Sequence, residues 1–196
     1  MRLRTLARKK VDDVLSPFQT FGHLSLGEEV SQLQHALQCA WFAEQDNAPP
    51  HLIVAALLHD IGHLLTWREE KKHPENSAEN GYHEKVGARF LAAYFTDAIV
   101  KPVRLHVAAK RYLFSTDERY RNSLSRASID SLMLQGGAMD SSTCKAFEGS
   151  PWFADALLIR KYDEAGKQPD LDVPGLPHYH ERLIQHTRVV QERQHA

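Results

Sequence analysis

The run Leu52-Ile53-Val54-Ala55-Ala56-Leu57-Leu58 is apolar on every side and ends in His59-Asp60, followed by Ile61-Gly62-His63. A helix with no polar face has nothing to offer water and must be an inner element of the fold. Pro49-Pro50 opens it, as proline suits a first helical turn. An imidazole and a carboxylate at the end of such a helix are carried toward the core. Burial there is costly unless each is hydrogen-bonded, paired or bound to a metal. The rest of the chain must therefore supply their partners.

The remaining pattern predicts helices throughout. Residues 5–16 read as a short polar helix and 16–27 as a loop. A helix over about 28–45 follows, with Val30, Leu33, Leu37, Ala40 and Trp41 at helical spacing and His35 away from its polar side. The polar stretch 66–81 is expected to be a mobile loop that could serve as a lid. Helices are then predicted over 83–95, with His83 in the first turn, and over 96–114, bent near Pro102 and carrying His106 and Lys110 one turn apart. Short helices at 116–122 and 124–134 precede Gly136-Gly137, the second carrying Ser128, and a helical region is expected at 138–148. A helix over 151–164 ends in Arg160-Lys161-Tyr162-Asp163, and a last polar helix spans about 178–192. With no strand alternation and no repeat, the expectation is one all-α domain, 1–196. Residues 1–27 form its N-terminal helix and loop, 28–164 its metal-binding core and 165–196 its tail and last helix.

A formal net charge of −1 gives no basic field and argues against extended nucleic-acid binding. Nothing approaches the roughly 18 apolar residues of a membrane span, and no apolar segment follows the basic N-terminus. Two cysteines, Cys39 and Cys144, suit a reducing compartment, so a soluble cytoplasmic protein is expected. Histidine is the exception, at 12 residues. His35, His59, His83 and His106, with Asp60 and Asp163, come from five predicted helices and most are embedded in apolar neighbours. Six ligands exceed the need of one four-coordinate zinc. Imidazole plus carboxylate without thiolate suits iron or manganese, and two ions sharing Asp60 would use all six. His51, His73, His178, His180, His186 and His195 lie in polar or terminal surroundings and are assigned no role.

At these residues the chain resembles the HD-domain superfamily, named for the His-Asp pair, and within it the diiron oxygenase branch that degrades organophosphonates. The motifs run in order: Ser31-Gln32-Leu33-Gln34-His35-Ala36-Leu37-Gln38-Cys39-Ala40, Ala55-Ala56-Leu57-Leu58-His59-Asp60-Ile61-Gly62-His63, His83-Glu84-Lys85-Val86-Gly87-Ala88, His106-Val107-Ala108-Ala109-Lys110, Gln135-Gly136-Gly137 and Asp163-Glu164-Ala165-Gly166-Lys167-Gln168. The resemblance implies a first iron on His35, His59, Asp60 and Asp163. It implies a second on Asp60, His83 and His106, as a mixed-valent Fe(II)/Fe(III) pair with O2 as co-substrate. It further implies that His63, Lys110, Ser128 and Arg160 hold a phosphonate, with Asp60, His63 and Lys110 closest to the chemistry and Glu28 facing an amino end. The expected reaction is oxidative C–P cleavage of a 1-hydroxy-2-(trimethylammonio or amino)ethylphosphonate, giving glycine betaine or glycine and inorganic phosphate. An upstream hydroxylase would supply the substrate.

One departure bears on specificity. Three residues before the Glu28 position, the branch member that the motifs follow most closely carries a tyrosine that occupies the second iron until substrate displaces it. Here that position is Ser25, preceded by His23 and Leu24, so the phenolate is absent and His23 is a candidate substitute. The lost ring makes room for a bulkier head group such as trimethylammonium, for which Trp41 and Trp67 offer aromatic faces. The alternative is a metal-dependent phosphohydrolase acting on a small phosphate ester or nucleotide. A non-catalytic metal or ligand sensor and a polyol oxygenase of the same diiron class are further rivals.

Overall fold

In the computed structural model residues 2–25, 29–72 and 82–189 are described, and everything below concerns them. They form eleven helices: α1 Arg2–Phe21, α2 Gln32–Gln45, α3 Pro50–Leu58, α4 Ile61–Lys72, α5 His83–Leu91, α6 Asp97–Thr116, α7 Glu118–Ser123, α8 Arg126–Leu134, α9 Ser141–Glu148, α10 Phe153–Ala165 and α11 Leu176–His186. The extended pairing among them is a single antiparallel bridge between Phe95 and Thr187. No helix is long and apolar enough to cross a membrane. Both cysteines are free and buried.

α3 takes the position its composition demands, with every residue from Leu52 to Leu58 buried. It is surrounded by α2, α6, α10 and α11, while α10 lies along both α6 and α2. The main core is continuous from α1 (Val11, Phe18) through α3 to α11 (Tyr179, Leu183). The chain breaks only at His59 and Asp60 before α4 resumes at Ile61. That two-residue interruption sets the His-Asp pair at the inner end of α3.

Four element boundaries differ from expectation. α1 runs on through Pro17 to Phe21 rather than stopping near residue 16. Its apolar stripe (Ala7, Val11, Val14, Leu15, Phe18, Phe21) is buried to the end. Burying two phenylalanines gives back about 3–6 kcal/mol against the ~3 kcal/mol a mid-helix proline costs. α2 starts at Gln32 rather than Glu28, because Ser31 caps it: the Ser31 hydroxyl accepts from the Gln34 amide and the Gln34 side chain accepts from the Ser31 amide. Residues 66–72 belong to α4 and not to a loop. Ile61, Leu64 and Leu65 bury one face of that helix while its outer face is polar, so polarity alone misled. The lid expected over 73–81 lies outside the described residues. The last helix ends at His186 instead of 192, with the chain turning extended at Thr187.

α4 and α5 touch backbone to backbone at Gly62 and Gly87. A methyl group on Gly62 would sit 1.9 Å from the His83 carbonyl oxygen. Only a residue without a side chain lets the turn carrying His83 come this close to the turn that follows Asp60. Gly62→Ala is therefore expected to lower stability by about 3 kcal/mol in denaturant unfolding and to weaken metal retention. Gly149→Ala, whose added methyl meets its nearest neighbour at 3.6 Å, should change neither.

Candidate metal centre

Six side chains from α2, the α3–α4 break, α5, α6 and α10 converge in the core. His35 Nε2 lies 3.3 Å from His59 Nε2 and 3.4 Å from Asp163 Oδ1. Asp60 Oδ2 completes this set, 3.7 Å from His35 Nε2 and 3.6 Å from His59 Nε2. The other Asp60 oxygen faces the opposite way: Oδ1 is 3.3 Å from His83 Nε2 and 3.4 Å from His106 Nε2, which are 3.0 Å apart. One carboxylate thus belongs to two donor sets, one oxygen in each.

The tautomers are fixed from behind. Nδ1 of His35, His59 and His106 lies 2.7–2.8 Å from the backbone carbonyls of Gly166, Ala56 and Val103 respectively, so each Nδ1–H donates outward. The Nε2 lone pairs are then left pointing inward, the outer-shell arrangement of metal-binding histidines. His83 is held differently. Its Nδ1 is buried without a hydrogen-bond partner, and its ring stacks on His63 at 3.8 Å.

These residues fit a metal. Facing Nε2 lone pairs repel unless a proton or a metal ion lies between them. Donors of a single ion, bound at about 2.0–2.2 Å, are necessarily about 3–3.5 Å from one another, close to the spacings found here. Electrostatics agree at the two carboxylates and at His59, while without an ion, against the opposing effect of burial, the His35 imidazole is held above its ordinary range by Cys39 and Asp163. Burial alone would raise the Asp60 carboxyl, but His59 beside it and hydrogen bonds with His106 and His83 hold it well below the usual carboxylate range. Asp163, more fully buried, is held low by the Arg160 guanidinium and by His35. Burial pushes His59 down to about 4, a neutral imidazole ready to donate its lone pair. Cys39 also approaches His35, with Sγ 3.8 Å from both ring nitrogens. Its sulfur lies within 4.8 Å of donor nitrogens of His35 and His59, but burial raises its thiol pKa. A protonated thiol is a poor ligand, so Asp163 is the better fourth donor.

A buried basic cluster adjoins the centre. Lys110 is buried, with Nζ donating to Ser131 Oγ at 2.6 Å. Burial, helped by the charges of Arg160 and Lys167, pushes this amine down to about 7. Arg160, also buried, donates from Nη1 to Asp163 Oδ2 at 2.5 Å and pairs through Nη2 with Glu164. Ser128 is buried on α8, where its Oγ accepts from Lys167 Nζ at 2.7 Å. His63, partly buried, lies between His83 and Trp67 and is driven well below its ordinary pKa by burial and by His83. Trp41 packs edge-on against Phe42. His23 and Ser25 are exposed, and Glu28 lies outside the described residues. Four neighbours had been given no role from sequence: Ser131, Glu164, Lys167 and Tyr120, whose hydroxyl donates to Glu164 Oε1 at 3.2 Å. The available signal was spacing, since Arg160–Glu164 is an i,i+4 pair and Ser128–Ser131 an i,i+3 pair.

Residues 32–133 match the HD domain. The chain belongs to the HD-domain family. It is 42 % identical over 183 residues to hydroxymethylphosphonate dioxygenase of Gimesia maris, which covers 91 % of this chain and 90 % of that protein. It is 46 % identical over 154 residues to the glycine-betaine-forming 1-hydroxy-2-(trimethylamino)ethylphosphonate dioxygenase of Leisingera caerulea, covering 79 % of this chain and 78 % of the relative. The pair that names the HD family is His59-Asp60, and its aspartate is the residue common to both donor sets.

Because of that double membership, Asp60→Ala should strip metal from both sets, whereas His106→Ala should spare the set built on His35, His59 and Asp163. His178→Ala, which removes a peripheral pair with Glu44, should leave metal content intact. Elemental analysis after reconstitution reads all three.

Proposed function

We propose that this HD-domain protein is a non-haem diiron oxygenase that cleaves the C–P bond of a 1-hydroxy-2-(trimethylammonio)ethylphosphonate or its primary-amine counterpart. It consumes O2 and yields glycine betaine or glycine with inorganic phosphate. The observation that carries the reading is the split of Asp60 between two imidazole sets beside a pocket of Lys110, Ser128 and Arg160. The two phosphonate dioxygenases support it, since both align over more than three quarters of the chain. Donors limited to imidazole and carboxylate favour iron. His35, His59, Asp60 and Asp163 would hold one ion, and Asp60, His83 and His106 the other. When bound, such a pair would supply a Lewis acid for the substrate's oxygens and a redox relay through which electrons taken from the substrate reduce O2.

The chain's own groups do the rest. Lys110 and the Ser128 hydroxyl donate to phosphonate oxygens, charge-assisted in the case of the lysine. The neutral His63 ring braces His83 and presents a nitrogen toward the same space. Arg160 keeps the Asp163 carboxylate ionised and aimed at His35 while adding positive charge to the pocket. Glu28, outside the described residues, is the carboxylate that the resemblance assigns to the ammonium end, and the Trp67 ring near His63 offers an aromatic face for a quaternary nitrogen. Fixing the phosphonate at one end and the ammonium at the other decides which C1 hydrogen faces the metal pair. The C1 hydroxyl must come from an upstream hydroxylation of the parent aminoalkylphosphonate, in a cytoplasmic setting that leaves Cys39 and Cys144 reduced.

Iron-loaded protein is expected to release phosphate from the trimethylammonium substrate faster than from the primary amine, with one O2 consumed per phosphate. Phosphate release that persists without oxygen would instead mark a phosphohydrolase. A pH dependence follows from Lys110. Its amine is charged below about 7 and neutral above, so binding of methanesulfonate, whose own charge is constant, should weaken as pH rises through 7. Lys110→Arg should remove that dependence in a calorimetric titration.

A further inference from the structure

We propose that Lys167 is a second cationic ligand for the phosphonate and the residue that makes the site select a dianion; this rests on the phosphonate reading above. The pocket holds three cations, Lys110, Arg160 and Lys167, and two carboxylates, Asp163 and Glu164. Arg160 spans both carboxylates, with Nη1 on Asp163 and Nη2 on Glu164. Asp163 in turn faces His35 and His59, where it serves the metal centre. Glu164 is shared between Arg160 and Lys167, whose Nζ donates to Oε2 at 3.2 Å, so three cations face one carboxylate that is not committed to the metal centre, an excess of positive charge suited to a doubly charged guest.

The two amines are placed on one surface. Lys110 Nζ donates to Ser131 Oγ and Lys167 Nζ to Ser128 Oγ, at 2.6 and 2.7 Å. Ser128 and Ser131 are one turn apart on α8, and the Ser131 hydroxyl donates to the Ser128 carbonyl. A phosphonate inserted between the lysines would replace neutral hydroxyl acceptors with anionic oxygens, a stronger hydrogen bond for each ammonium. The amines already sense one another, because Lys167 and Arg160 both contribute to the lowering at Lys110. A dianion in their midst relieves that repulsion.

Lys167 is also fixed from both sides. The Gly166 carbonyl accepts from His35 Nδ1, and Gln168 exchanges hydrogen bonds with the fully buried Gln38, its amide donating to Oε1 and its carbonyl accepting from Nε2. The residue between these anchors has little backbone freedom. Its ammonium is thus held in register with a metal ligand, as a specificity contact requires.

The test compares wild type, Lys167→Met and Lys167→Arg, all iron-loaded, using calorimetric binding of methylphosphonate above its second ionisation, where the incoming dianion draws a proton back onto Lys110, and of singly charged methanesulfonate. Lys167→Met is expected to weaken methylphosphonate by about tenfold or more, the worth of one charge-assisted bond, while methanesulfonate changes by less than about threefold. Lys167→Arg should restore most of the preference, and iron content should match wild type throughout. KM for the hydroxyphosphonate should rise in Lys167→Met with kcat little changed. An unaltered methylphosphonate affinity, or equal weakening of both ligands, would overturn the assignment even if the wild type splits C–P bonds normally. Conversely, loss of dianion preference in a protein that never releases phosphate would uphold Lys167 as the anion ligand and sink the oxygenase reading.

Discussion

A single buried carboxylate shared between two sets of imidazoles governs this fold. Asp60 retains only 17 % of its side-chain exposure, and each of its oxygens faces two histidine nitrogens. An ionised carboxylate there is tolerable only with cations on both sides. Those cations, in turn, can be metals only if four imidazoles present lone pairs inward. Three of the four do so because a backbone carbonyl takes the opposite ring proton. Helix ends and turns are where carbonyls are not consumed by the helical ladder, and two of the three acceptors lie there: Gly166 just past α10 and Ala56 in the last turn of α3, while Val103 sits inside α6, three residues before His106.

Close backbone approach is the second requirement, and it explains the glycines better than turn geometry does. Gly62 lets α5 lie against the start of α4. Gly166 lets the end of α10 lie against α2, where an added methyl would meet Cys39 Sγ at 2.5 Å. Both glycines sit within three residues of a donor, Asp60 and Asp163 respectively. The metal centre is thus a place where helices pass too closely for side chains, and the donors converge because the backbones do.

How much of this could be read from the chain itself depended on the kind of signal. The all-round apolar α3 announced its own burial, and the His-Asp pair at its end followed. The histidines embedded among apolar residues pointed at one another for the same reason. Boundaries that depend on local capping or on an apolar stripe running past a proline were misjudged: the start of α2 at Gln32, the length of α1, and α4 where a loop was expected. The substrate pocket was legible only in part. Lys110, Ser128 and Arg160 were singled out by resemblance and do lie together. Lys167 and Glu164 escaped, because a lysine and a glutamate near a helix C-terminus have the composition of any solvated helix end. Only the fold reveals that this end is turned inward, with Lys167 on Ser128 and Glu164 on Arg160.

Arg160 is what makes metal centre and pocket one device. Its guanidinium grips a carboxylate that belongs to the donor set and, on its other arm, a carboxylate that also holds Lys167 and the Tyr120 hydroxyl. A planar, permanently charged fork can hold two acceptors at a fixed angle, which a lysine cannot. Any anion drawn into the pocket must share this network, and its charge is felt at Asp163 through one intervening residue. The basic cluster and the first donor set are therefore joined by one continuous chain of ion pairs, Lys167–Glu164–Arg160–Asp163.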